Sequence, residues 1–455
     1  MHFERMKFSS CSARPRSFTL GAFLLRTLLV GIAGLFTRTQ IFATELPVPE
    51  ISDVTRVDRN TPPSRQEAIT ATFILETTSH ATAGDAYVIV TDQTAKAFLD
   101  PLERLAKFHH GSIVHVQDLG ALRTTTSERD QLISDLRRAQ PRFVAIAPKL
   151  QSFTENMLLG MWYVLTMLGD DQQLPVFPGI LVASNPTAFN ALIDGSINYH
   201  SQAIAQVHPF VVGQVLGPKP FDQRSLQKVR MMRNLFADYG CTTHSLVILT
   251  YKAVEKGVTV APAPDQWQVA INEPRPSIKT IPPEVRPTLD NASLLLMFGH
   301  GNPGTACSLA VSAFHDVKMA GKIVMCGDCY SAAPAESDDS LAAYAPGGRP
   351  SQGNDDNFAM RAVENGAIVV YAHMRENFGF PHLFPVLEGW MDGLTVGEAY
   401  QRQINALIAF NGFSADDLIS RDVDDADSLL YVIIGDPALQ PLEKMTPVRP
   451  KPGMQ

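Results

Sequence analysis

Leu294-Leu295-Leu296-Met297-Phe298-Gly299-His300-Gly301 and Ile323-Val324-Met325-Cys326-Gly327-Asp328-Cys329 are the stretches that decide the fold. Each is a short apolar run that stops at glycine and then delivers a reactive side chain, an imidazole in the first and a thiol in the second. Runs of this length bounded by turn signals read as strands buried on both faces. Outward from this pair, similar runs recur at 86–90, 112–116, 143–147, 176–182, 367–371 and 431–434. Apolar residues at helical spacing fill 95–108, 128–138, 155–168, 218–240, 355–365, 383–391 and 396–410. Strands alternating with helices imply parallel pairing through right-handed crossovers. The expected fold is therefore α/β, doubly wound, with mostly parallel sheets. Residues 261–288 are rich in proline and are expected to form a loop.

Composition agrees with a packed chain. At 455 residues, two or three domains are the prior. With 45% hydrophobic and 18% charged residues the chain is too apolar to be disordered. A net charge of -8 lacks the basic footprint of a nucleic-acid binder. Arg5, Lys7, Arg14 and Arg16 precede an apolar stretch over 18–36, and Ile41-Phe42-Ala43 then offers a small-residue cleavage site. That order is the order of a secretory signal over 1–43, and Arg26 inside the apolar stretch opposes a permanent membrane anchor. An exported protein, periplasmic or extracellular and without stable membrane insertion, is expected. Cys11 leaves with the signal. Cys241, Cys307, Cys326 and Cys329 are too few for a disulfide framework. The expected organisation is a linker over 44–82, a first α/β subdomain over 83–240, a second over 241–442 and a tail over 443–455.

In open parallel sheets ligands bind beyond the carboxyl ends of the strands. His300 and Cys329 are both delivered to that edge. A thiolate is a nucleophile, and an imidazole nearby takes its proton and protonates a leaving amine. The amides of Gly301 and Cys329 are candidates to face a developing oxyanion, where each donor is worth about 3 kcal/mol of transition-state stabilisation.

These elements resemble the caspase-like fold of cysteine peptidases, and most closely the gingipain-like peptidases. An apolar strand leads to His300-Gly301, and a second leads to Cys329 with two residues between them. Asp356-Asn357-Phe358-Ala359, Gly366-Ala367-Ile368-Val369-Val370, Gly393-Leu394-Thr395-Val396-Gly397-Glu398-Ala399 and Gly435-Asp436-Pro437-Ala438-Leu439 resemble the segments that follow in that family. The resemblance covers roughly 85–442 and is best over 290–440. It implies a non-catalytic first subdomain beside a catalytic second one, and a cysteine endopeptidase that needs no cofactor or metal and acts on protein or peptide substrates. His300 would be the general acid/base, Cys329 the nucleophile, and the Gly301 and Cys329 amides the oxyanion hole. A preference for Arg or Lys at the cleaved bond would follow, with Asp265, Asp290 and Asp355-Asp356 as candidate pocket acids. The sequence departs from the family in lacking a Gly shortly after Cys329, and in placing Asp328 beside the thiol. On a strand those two side chains would face opposite sides.

Other readings compete. A caspase-fold protein without activity would serve as a binding scaffold. Cys326-Gly327-Asp328-Cys329 has the spacing of dithiol oxidoreductases. Cys307, His315, Cys326 and Cys329 are the residue types of a zinc site, without its compact second ligand pair. His109-His110 is read as a solvated turn, and His373 and His382 as structural. Asp422–Asp427 is read as an exposed acidic loop, Gly435-Asp436-Pro437 as an architectural turn, and 347–353 as a loop bordering a substrate pocket.

Overall fold

A computed structural model describes residues 86–448 except 171, 262, 274–276, 334–356 and 376–382. The export signal, the 44–82 linker, His382, Asp355, Asp356 and the 347–353 loop lie outside the described residues. In chain order the elements are β1 (Tyr87–Thr91), α1 (Lys96–Phe108), β2 (Ser112–His115), α2 (Thr126–Ala139), β3 (Phe143–Ala147), α3 (Glu155–Thr166), β4 (Phe177–Ile180), α4 (Pro186–Tyr199), β5 (Pro209–Val215), α5 (Arg224–Asp238), β6 (His244–Leu249), α6 (Tyr251–Glu255) and β7 (Gln266–Ala270). Next come α7 (Arg286–Asn291), β8 (Leu294–Phe298), β9 (Thr305–Ala306), β10 (Leu309–Ala310), β11 (Ile323–Cys326), α8 (Phe358–Glu364), β12 (Val369–His373), α9 (Leu383–Met391), α10 (Val396–Asn411), α11 (Ala415–Ser420) and β13 (Tyr431–Ile434).

Eleven strands form one sheet in the order β2-β1-β3-β4-β13-β12-β11-β8-β5-β6-β7, and β9 and β10 form a separate antiparallel pair. β1 to β4 pair in parallel, as do β12, β11, β8, β5, β6 and β7. β13 joins the two sets, antiparallel to β12 and meeting β4 at the single pair Ile434–Ile180. The expected α/β architecture of mostly parallel strands is present, but as one continuous sheet. The division expected near 240 does not fall on a break in it, because β5 and β6, on either side of that position, are paired along their length. The expected 261–288 loop also needs correction, since Gln266–Ala270 adds β7 to the sheet edge.

Burial explains which strands were legible. β1 and β8 are buried at every position, so helices cover both faces and no polar alternation is needed. The edge strands β2 and β7 keep exposed positions and polar residues. Helix starts follow ordinary capping chemistry. Asn185 accepts the Ala188 N–H at 2.9 Å ahead of Pro186, and Thr395 with Glu398 forms a capping box on α10.

Candidate active site

β8 and β11 are neighbours in parallel register, with Met297 opposite Cys326, so the chain leaves their carboxyl ends side by side. His300 comes two residues after β8 and is exposed, while Cys329 comes three after β11 and is half-buried. Between them the backbones touch at Gly301. A Cβ added there would lie 2.5 Å from the Cys329 carbonyl oxygen, 2.9 Å from Asp328 Cβ and 3.0 Å from the Thr305 carbonyl oxygen. Only glycine fits that approach. The sequence-predicted His300, Gly301 and Cys329 are therefore brought to one place on the sheet edge.

The turn that carries Cys329 is fastened on both sides. Gly327 N–H donates to Met297 O at 3.0 Å, Tyr330 N–H to Arg375 O at 2.8 Å, and Ala332 N–H to His373 O at 2.9 Å. Ser331 Oγ donates to Asp328 O at 3.0 Å and accepts the His373 N–H at 3.0 Å. Tyr330 takes a left-handed φ of 57°, which points the chain sharply away after the thiol, and Tyr330 and Ala333 pack beside Cys329. His373 is buried, its Nε2 3.0 Å from Asp427 O, and plays a structural part at the end of β12.

A second layer of contacts escaped the sequence reading. Gln214, at the end of β5, accepts the His300 N–H on Oε1 at 2.7 Å and donates through Nε2 to Ser308 Oγ. Asp328 is fully buried, and its Oδ2 accepts the Cys307 N–H at 2.5 Å. Cys307 and Ser308 are the two-residue loop between β9 and β10, with φ of 51° and 62°. Such hairpin loops ordinarily take Asn-Gly, because a left-handed backbone costs other residues about 1–3 kcal/mol each. Asp328 and Gln214 hold this strained loop between the His300 and Cys329 segments. Asp328 does not sit beside Cys329 on a strand, because β11 ends at Cys326, and its carboxylate is committed to the β9–β10 loop. Burial pushes the Asp328 carboxyl above its ordinary range, opposed by the Cys307 and Gly299 donors and by His300.

No disulfide joins cysteines among the described residues. Burial pushes the thiols of Cys307 and Cys326 well up, which keeps them protonated and unreactive, and burial also raises Cys241. A dithiol mechanism would need Cys326 accessible, and it is 0% exposed. The four zinc-type residues do not assemble: among the described residues the cluster within ligating reach is a different one, and His315 faces Arg361 at 3.5 Å. The amine of Lys228, on α5, lies 5.8 Å from the Phe298 ring centre. Burial lowers its pKa, Asp328 opposes that shift and Arg224 adds to it, and Cys329 also acts on it, so this lysine belongs to the surroundings of the thiol. A cavity of about 340 Å³ opens at the β2 edge, lined by His115, Glu128 and Asp135, on the far side of the sheet from β8 and β11. No helix among the described residues is long and apolar enough to cross a membrane.

No protein-family model matches the chain, and no curated protein matches it by sequence. Among solved structures it is similar to the Arg-specific cysteine proteinase gingipain R (RgpB), at 11% identity over 80% of each chain and a TM-score of 0.52. The chain has a gingipain-like fold. A complex of the pro- and mature domains of RgpB from Porphyromonas gingivalis aligns over 79% of this chain and 80% of that one, with 12% identity and a TM-score of 0.49. Within this fold the segments bearing His300 and Cys329 meet at the carboxyl edge of adjacent parallel strands.

Proposed function

We propose that this protein is an exported cysteine endopeptidase whose nucleophile is Cys329 and whose general acid/base is His300. What supports the reading is the direct backbone contact of Gly301 with Cys329, at the carboxyl ends of two adjacent parallel strands in a gingipain-like fold. Cys329 Sγ attacks the scissile carbonyl carbon as its proton passes to His300. The oxyanion is received by the amides of Gly301 and Cys329. Collapse breaks the C–N bond, and His300 gives its proton to the leaving amine, leaving a thioester on Cys329. Water, deprotonated by His300, then hydrolyses the thioester and restores the thiol. Export rests on the basic, apolar and small-residue order over 5–43.

The charges around the thiol point away from the Arg preference of gingipain R. Asp265 and Asp290 precede β7 and β8, at the amino ends of these strands, and so lie at the opposite edge from His300 and Cys329. Asp290 is engaged there with Arg286 at 2.8 Å. Among the described residues Lys228 is a cation whose charge reaches Cys329, and a cation in that place favours a neutral or acidic side chain at the cleaved bond.

The test is covalent labelling of the full chain by a peptidyl acyloxymethyl ketone followed by intact-mass measurement. One adduct per chain, absent from Cys329→Ala and strongly slowed in His300→Ala, is expected. A folded wild-type chain that takes no adduct would instead be a scaffold with this fold.

A further inference from the structure

We propose that His109, His200 and Asp436 form a zinc site that ties the amino ends of β1 and β2 to the segment after β13. His109 follows α1, His200 is the C-cap of α4, and Asp436 follows β13, so the three come from segments far apart in the chain. One ligand atom from each lies within 4.8 Å of the others. The site is distinct from the His300–Cys329 edge, and it does not depend on peptidase activity.

The groups are arranged as a metal centre requires. The Asp436 side chain is 0% exposed and His109 only 9%, so this is no solvated turn, and the sequence reading of His109 is corrected accordingly. His109 Nε2 is 2.8 Å from Asp436 Oδ2. The other carboxylate oxygen accepts the Tyr87 hydroxyl at 2.9 Å and the Ala438 N–H at 3.1 Å, the outer hydrogen bonds that orient a ligating carboxylate. Tyr87 stacks on His109 at 4.2 Å, and Phe108 meets both imidazoles edge-on at 4.9 and 5.2 Å, supplying an aromatic wall.

A His–Asp hydrogen bond accounts for two of the three groups and leaves the third unexplained. The His200 ring stands 5.0 Å from that of His109, and its Nδ1 is buried with no hydrogen-bond partner. A nitrogen left so costs stability unless something binds it. Two imidazoles and one carboxylate, with a fourth position for water, are a donor set for zinc. Bonds of about 2.0–2.1 Å in tetrahedral geometry set ligand atoms about 3.4 Å apart. Zinc binding requires the half-buried His200 side chain to move in from within 4.8 Å to that separation.

The experiment uses the full chain carrying Cys329→Ala, so that the candidate nucleophile holds no metal. Protein equilibrated with zinc sulfate and gel-filtered is expected to retain about one zinc per chain by mass spectrometry, and to melt at a higher temperature with zinc than after chelation. Adding His200→Phe, which keeps the aromatic contacts and removes the nitrogens, should weaken zinc binding about 100-fold and abolish the zinc-dependent melting shift. Calcium, which takes all-oxygen sites, should give no shift. Retention of less than about one-tenth of an equivalent would overturn the proposal. So would equal retention in the His200→Phe protein, or a shift with calcium as large as with zinc.

Discussion

Replacing Gly301 by alanine puts a methyl carbon 2.5 Å from the Cys329 carbonyl oxygen, with Asp328 Cβ and Thr305 O at 2.9 and 3.0 Å. Ordinary contact begins near 3.4 Å, so the segments bearing His300 and Cys329 must separate by about 0.9 Å. All three obstructing atoms belong to backbone or to a fully buried side chain, and none can swing away. A misplacement of about 1 Å in an active site costs on the order of 100-fold in rate, so kcat/KM of Gly301→Ala should fall about 100-fold. Overpacking should also lower stability by about 1–3 kcal/mol. Gly304→Ala is the control, because a methyl group there meets nothing nearer than the Asn302 side-chain oxygen at 3.8 Å. Initial rates on a fluorogenic peptide, normalised to folded protein by near-UV circular dichroism, make the measurement. If Gly301→Ala cleaves as fast as Gly304→Ala and wild type, the two segments do not act together and the argument from their contact fails.

Two further outcomes follow from burial. Burial raises the folded pKa of the Asp328 carboxyl above its ordinary value of about 3.8, so the folded state holds its proton more tightly than the unfolded state. Stability should therefore fall as pH rises from about 3.8 through the raised folded value, then level off. Asp328→Asn should lack this slope, and urea melts at a series of acid pH values check it; identical slopes in the two proteins would contradict the assignment. Cys326→Ala should cost about 1–2 kcal/mol, from a small cavity at the end of β11, and leave peptide hydrolysis unchanged. Loss of hydrolysis in that variant, with the fold retained, would contradict the assignment of Cys326 as a core residue outside the chemistry.

How much was legible depends on how local each feature is. β3, β8, β11 and β13 were readable to the residue because each is a run of apolar side chains buried on both faces. β5 was not. Gly213 and Gln214 interrupt its apolar run, and both have long-range reasons. A Cβ at Gly213 would lie 2.4 Å from Val229 of α5, and Gln214 spends its amide on His300 and Ser308. β7 alternates Gln266, Trp267, Gln268 and Val269 beside a proline-rich run, so an edge strand looked like loop. The two ends that carry His300 and Cys329 were visible as strand-then-glycine patterns. The clasp formed by Asp328, Gln214 and the Cys307-Ser308 loop was not, because neither residue of that loop is a type that advertises a left-handed backbone. His109 likewise meets Asp436 across 327 positions, beyond the reach of any local pattern.

The role of Cys329 as nucleophile is put to the sharpest test by incubating the full chain with a mixture-based peptide library and reading new termini by mass spectrometry, with Cys329→Ala alongside. The expected result is time-dependent internal cleavage by the wild type, with neutral or acidic side chains favoured before the broken bond, and none by Cys329→Ala. Cleavage that persists at an equal rate in Cys329→Ala would contradict the claim, because the hydrolysis would then owe nothing to the thiol beside Gly301.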